Sequence, residues 1–201
     1  MEGFGIVHLV LLASVLVPLL GAVFVIGTYN ALVKLRNLIH NSWANIDTEL
    51  RRRYDLIPNL VAAVKGYAAH ERQVLEAVAS ARARAVSSCG RPASQARDEN
   101  ALIGALKTLL AVSERYPDLK ANENFLRLQQ QLVDTEDRIQ AARRFYNGNV
   151  KDLNTRCELF PSNIVASLFG FDRADYFEVD SLDVSAPVDV RFGAAHPGSH
   201  H

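Results

Sequence analysis

Three short runs of side chains have the types that chemistry needs. His70-Glu71 opens the run HERQV. A zinc-protease helix needs a second histidine four positions after the first, with the glutamate as base. Val74 stands at that position, so the pair is expected to be solvated or interhelical, and no metal site is expected. Asp134, Glu136, Asp137 and Arg138 form an acidic cluster. Paired carboxylates do acid–base work when their surroundings push their pKa values apart. Neighbouring carboxylates on a long helix face water first. The alternative is a polar layer inside a helical bundle, with Glu136 meeting Arg143 or an arginine of another helix; catalysis comes last. Asn147 and Asn154 are seven residues apart and share a helix face, as interhelical hydrogen-bond partners would. Glu136, Arg143, Asn147 and Asn154 are therefore the candidate polar layer.

The third run is Arg51-Arg52-Arg53. It reads as a solvated charged face or as a docking surface for an acidic partner or for lipid. If one helix runs on from the apolar N-terminal stretch, Arg51 lies ~38 Å beyond Ile26 at 1.5 Å per residue. Headgroup attraction is screened well before that, over ~8 Å at physiological ionic strength. The sequence has no glycine-rich phosphate loop, no dinucleotide fingerprint and no evident nucleophile–base set, so no catalytic residue and no cofactor is expected. The histidines at 196, 200 and 201 sit in a polar tail unsuited to a specific metal site. Two cysteines, Cys89 and Cys157, are too few for a disulfide framework. They are expected to be free thiols in a reducing compartment, with a regulatory disulfide as the alternative.

The elements that must position these residues are helical. Ile6 to Ile26 carries no formal charge, which gives ~31 Å of helix against a hydrocarbon core of ~30 Å. Glu2 is the only charge before it. With no basic start and no A-x-A site, the run is expected to stay as an anchor rather than be cleaved as a signal. Lys34, Arg36 and the arginine triplet follow the span and no Lys or Arg precedes it. The positive-inside rule then places the body in the cytoplasm and the N-terminus outside.

After the span, Leu32, Leu35, Ile39, Ser42, Ile46 and Leu50 recur at helical steps. Pro58 is expected to end or kink this helix near Leu56. A second stripe, Leu60, Val64, Tyr67, Leu75 and Val78, runs to the loop at Ser87–Pro92. A third helix covers Ala96 to about Tyr116. A fourth starts at the N-cap Asn122 and carries Phe125, Leu128, Leu132, Ile139, Tyr146, Leu153 and Cys157 inward, stopping at Phe160-Pro161. The expected fold is all-α: an N-terminal transmembrane helix, then an antiparallel bundle of about four long helices, then a short irregular tail. The expected boundaries are 1–5 for a short outer N-terminus, 6–28 for the span, 29–179 for the cytoplasmic bundle and 180–201 for an extended or disordered tail. A net charge of zero gives no overall reason to expect nucleic acid.

Three segments resemble the LemA family: YNALVKLRNLIHNSWANIDTELRRRYDLIPNLVAAVKGYAAHE (Tyr29 to Glu71), YPDLKANENFLRLQQQLVDTEDRIQAARRFYN (Tyr116 to Asn147) and FPSNIVASLFGFDRADYFE (Phe160 to Glu178). The family shows a tyrosine in a YNT triplet where this chain has Leu153-Asn154-Thr155. The resemblance implies a single-pass protein of the bacterial cytoplasmic (inner) membrane with a helical bundle in the cytoplasm, and no established reaction. A related branch is associated with magnetosome membranes. The leading expectation is a non-enzymatic scaffold or adaptor, held in the lipid bilayer by residues 6–28, with a protein partner or itself as ligand. The alternatives are a self-assembling, membrane-organising or membrane-shaping protein, and an enzyme with a site in the bundle core.

Overall fold

The computed structural model describes residues 2–88 and 91–182, with the backbone alone for 2–7, 9 and 10. Among these residues there are six helices and no strand. They are α1 (Glu2–Tyr67), α2 (Arg72–Ser87), α3 (Pro92–Ser113), α4 (Pro117–Lys120), α5 (Glu123–Glu158) and α6 (Ser162–Leu168). The fold is an all-α bundle, and α1 contains a run long and apolar enough to cross a membrane.

The first helix is longer than its prolines suggest. It is one element of 66 residues, ~99 Å at 1.5 Å per residue. Residues 2–5 already belong to it. The break expected near Leu56 is absent: α1 runs through Pro58, and the chain turns at Ala68–Glu71 instead. A proline in a helix removes the N–H that would bond the carbonyl four residues back. For Pro58 that carbonyl belongs to Tyr54. Arg82 Nε of α2 donates to the Tyr54 carbonyl at 2.7 Å. A neighbouring helix thus supplies the donor that the proline lacks, and the helix continues. One expected helix, with its stripe from Leu60 to Val78, is therefore the end of α1 plus the separate α2.

The helices alternate in direction. Tyr54 of α1 meets Ala85 of α2, Glu71 before α2 meets Arg115 after α3, and Tyr67 meets Asn122 at the start of α5. Beyond about residue 50 of α1, these four long helices enclose a core that includes Leu60, Val64, Val78, Leu106, Leu109 and Phe125. Nearer the apolar run only α1 and α5 continue, as a two-helix stem. Leu32 and Leu153 form its base with Val165 and Ala166 of α6. Asn122 caps α5 as expected, its Oδ1 accepting from Phe125 N–H at 3.0 Å. Two residues past the end of α6 stands Gly170, whose φ is 67°. Phe171 N–H then reaches back to Ala166 O at 2.9 Å, the closing bond of a Schellman turn. The turn sends residues 171–182 back along the stem as an extended strap. Its burial continues to Leu182, past the boundary expected at 179; residues 183–201 of the expected tail lie outside the described residues.

Removing the Arg82 donor leaves a carbonyl without its partner, a cost of about 1–3 kcal/mol. Arg82→Ala is expected to destabilise the detergent-solubilised chain in denaturant unfolding by that order. In a Pro58→Ala background, which restores the backbone N–H, the same substitution should cost about 1 kcal/mol less. Equal costs in both backgrounds would dismiss the compensation.

Candidate functional site

Where the four-helix part meets the stem, α1, α3 and α5 each turn a charged residue into the core. Arg53, Glu99 and Glu136 are 0 %, 0 % and 4 % exposed. Each lies on its helix's apolar stripe: Leu50–Arg53–Ile57, Glu99–Leu102–Leu106 and Leu132–Glu136–Ile139. Helical periodicity therefore carries them inward. Arg53 Nη1 donates to Glu136 Oε2 at 3.1 Å. Arg53 Nη2 donates to Glu99 Oε2, and the Tyr54 hydroxyl to Glu99 Oε1. Gln95 Nε2 donates to Glu99 Oε1 at 2.9 Å and to the Ala85 carbonyl of α2 at 3.2 Å. Gln140 Nε2 donates to Glu136 Oε1 at 2.6 Å, and Leu182 N–H to the same oxygen at 3.3 Å. Two carboxylates face one guanidinium, and each accepts from three donors. That is the arrangement by which buried charge is tolerated.

Burial, with the Glu99 charge next, pushes the Tyr54 phenol well above its ordinary range. Burial, with Asp175 next, pushes Tyr146 up to about 12. Both phenols are therefore held as donors.

A second polar array holds the strap in the α1–α5 groove. Asn154 pairs with the backbone of Ala174 in both directions: its Nδ2 donates to the carbonyl at 3.0 Å and its Oδ1 accepts from the N–H at 2.9 Å. Asn147 pairs in the same way with Phe177, at 3.1 and 2.9 Å. Tyr146 OH donates to Asp175 O at 2.9 Å, and Arg143 Nη1 donates to Val179 O. On α3, Asn100 Oδ1 accepts from Asp180 N–H at 2.8 Å. These side chains supply the main-chain partners that a neighbouring strand would otherwise provide. Phe177 is buried, its ring 5.2 Å from that of Trp43 in α1, and Val179 and Leu182 are buried beyond it.

The expected site residues are thus redistributed. Arg51 and Arg52 are exposed, pairing with Asp47 at 2.8 Å and Glu49 at 3.5 Å. Arg53 is a correction: it is sealed in the core and offers nothing to an outside partner, because its position on the apolar stripe points it inward. Glu136 lies in a polar layer, with Arg53 of another helix as its cation. Arg143, Asn147 and Asn154 are a second correction. They bind the strap backbone rather than other helices, because the strap occupies the face that a further helix would fill. The rest of the acidic cluster, Asp134, Asp137 and Arg138, is exposed, as is His70. Glu71 is interhelical, with Arg115 at 3.0 Å. Among the described residues no group of three or more metal-ligating side chains converges. Cys157 donates to Phe171 O at 3.7 Å, and burial, followed by Asp172, pushes its thiol pKa up, the direction of an inert thiol. Cys89 lies outside the described residues. Sequence reading missed Tyr54, Gln95, Glu99 and Asn100. For Glu99 and Gln95 the signal was present, as polar residues four apart on the inward face of α3.

Two outcomes follow. The folded-state pKa values of Tyr54 and Tyr146 lie above the unfolded value of about 10. Their contribution to stability is complete below pH ~10 and is lost as pH rises above it, since the unfolded chain releases its phenol protons first. Unfolding free energy measured by denaturant titration should fall above pH ~10, less steeply in Tyr54→Phe; an unchanged slope would dismiss the Tyr54 assignment. Asn147→Ala with Asn154→Ala should release the strap. Proteolytic cleavage within 171–182 is expected to accelerate at least ~10-fold, because each lost pair costs about 1–3 kcal/mol locally. Cleavage at the wild-type rate would dismiss the clamp.

Residues 42–192 match the LemA family model, a span that includes the buried ion layer and the strap. Magnetosome proteins MamQ 1 and MamQ 2 of Paramagnetospirillum magneticum are each 27 % identical over 201 residues, covering 88 % of this chain and 74 % of theirs. Protein LemA of Metamycoplasma hominis is 24 % identical over 159 residues, covering 79 % of this chain and 72 % of its own. With most of its length matched by the family model, the chain belongs to the LemA family.

Proposed function

We propose that this protein is a non-enzymatic scaffold that mounts a helical bundle at the cytoplasmic face of a bacterial inner membrane. The observation that carries the reading is α1, one helix from the apolar run to the far end of the bundle. A span joined by a flexible linker is a tether. A span continuous with the core helix is a post, and it transmits orientation as well as position. Lys34, Arg36, Arg51 and Arg52 lie on the bundle side of the apolar run, which favours a cytoplasmic bundle. The polar groups turned into the core, from Gln95 to Glu136, are engaged with one another or with the backbone, which favours structure over turnover. Arg51 and Arg52 are exposed on α1, each beside a carboxylate of its own helix, and are the cations proposed to meet an acidic protein partner. A second reading, a self-assembling membrane-organising protein, is favoured by the similarity to two proteins named for the magnetosome.

Crosslinking of the full-length protein in its membrane, followed by mass spectrometry, separates these readings. The control is Arg51→Ala with Arg52→Ala. Arg53 must stay, because removing one member of a buried ion group costs about 3–5 kcal/mol and confounds docking with unfolding. A reproducible foreign partner lost in the control is the expected result. Self-crosslinks alone, unchanged in the control, would replace the adaptor with a self-assembling protein.

A further inference from the structure

The chain from Leu159 to Phe169 makes a corner at the base of the stem, and its outer surface is apolar. α6 turns Val165 and Ala166 inward against Leu32, Leu153 and Phe171. It turns Ile164 and Leu168 outward, four residues apart on one face. Phe160 is 79 % exposed and Leu168 73 %, with Leu159, Ile164 and Phe169 also exposed. Five large apolar side chains on eleven residues are unusual for a water-facing surface. Nothing in the described fold covers their outward-facing surfaces.

Their height along α1 says what does. Phe169 stacks edge-on against Tyr29, ring centroids 4.9 Å apart. Val25 packs against the same cluster as α6. Phe24 and Thr28 share a cleft with Leu159 and Phe160. The uncharged run ends at Ile26, and Tyr29 is ~5 Å further along the axis at 1.5 Å per residue. The corner therefore sits where the hydrocarbon gives way to the headgroups. Tyrosine is favoured at that depth, and a short helix with one apolar face lies there readily. Exposed Arg156 lines the same cleft; exposed Lys34 and Arg36 follow ~8 and ~11 Å beyond Tyr29 along the axis, the Arg36 guanidinium 5.1 Å from the Phe171 ring centre. These are positions from which cations reach lipid phosphates.

We propose that the 159–169 corner is a second membrane contact, with Leu159, Phe160, Ile164, Leu168 and Phe169 inserted among the lipids of the bilayer that α1 crosses. The inference rests on residues 6–28 spanning that bilayer. One helix leaving a membrane is free to tilt and rotate; a second contact on one side of it fixes both.

Single tryptophans placed in the full chain test this in liposomes of phosphatidylcholine and phosphatidylglycerol with brominated acyl chains. Wild type supplies the baseline from Trp43, ~26 Å beyond Ile26. Leu168→Trp and Phe160→Trp replace exposed apolar side chains and leave the core intact. Val17→Trp reports the span, and Leu126→Trp, exposed at the far end of α5, reports the distal surface. The expected result is that the added emission of Leu168→Trp and Phe160→Trp is quenched at least two-fold, like Val17→Trp, while Leu126→Trp is unquenched. Quenching of Val17→Trp alone would overturn the second contact and leave the span standing. No quenching at Val17→Trp would overturn both. A blue-shifted but unquenched Leu168→Trp would overturn lipid as the occupant and assign the corner to another copy of the chain.

Discussion

The fold depends on keeping one buried guanidinium paired with carboxylates through its two terminal nitrogens. Arg53 is fully buried, and a buried cation is tolerated only when it is paired. It needs carboxylates at fixed positions, and these come from α3 and α5. The carboxylates in turn need donors, which come from α1, α3, α5 and the strap. Helix register, helix pairing and the seating of the C-terminal segment are thereby tied to one requirement. A buried ion group adds little net stability compared with a well-packed apolar core. Its effect here is on uniqueness: sliding α3 or α5 by one turn strands a charge, whereas leucines sliding past leucines would lose little.

The same layer lies beside the device that keeps α1 continuous. Pro58 lies in the turn after Arg53, and Arg82, which satisfies the carbonyl the proline leaves open, comes from the helix that also receives Gln95 at Ala85. The bundle thus splints its own longest helix just beyond the ion layer. A helix supported this way depends on the bundle being folded, so the continuity of α1 and the folding of the bundle are coupled.

Below the ion layer the stem has two helices and needs a third wall. The strap supplies it at low cost in sequence, since Asn147 and Asn154 recognise backbone rather than side chains. Seven residues are two helical turns, ~10.5 Å along α5. Three residues of extended chain span a similar distance, ~9–10 Å, so the same amide can grip positions 174 and 177. The departure at Leu153 lies in this region. Leucine there packs with Leu32 and Phe171 and leaves gripping to Asn154 beside it.

Much of this was legible along the chain. The uncharged run marked the stretch of α1 long and apolar enough to cross a membrane. Helical stripes set four long amphipathic segments and most of the inward residues, and Asn122 marked its helix start. These are local properties, decided by side chains within a few positions of one another. Other features were not local. Pro58 reads as a break because its missing donor is visible in sequence and the replacement, Arg82, is not. Arg53 reads as the third of three surface arginines because the carboxylates that let it be buried lie 46 and 83 residues away. The spacing of Asn147 and Asn154 was visible, but their partner was a strap without periodicity of its own. Sequence determined which faces are apolar and where the helices run; tertiary structure decided which charges could be buried and which break could be bridged. Those outcomes turn on finding a partner across space, and desolvation is tolerable only once the partner is in place.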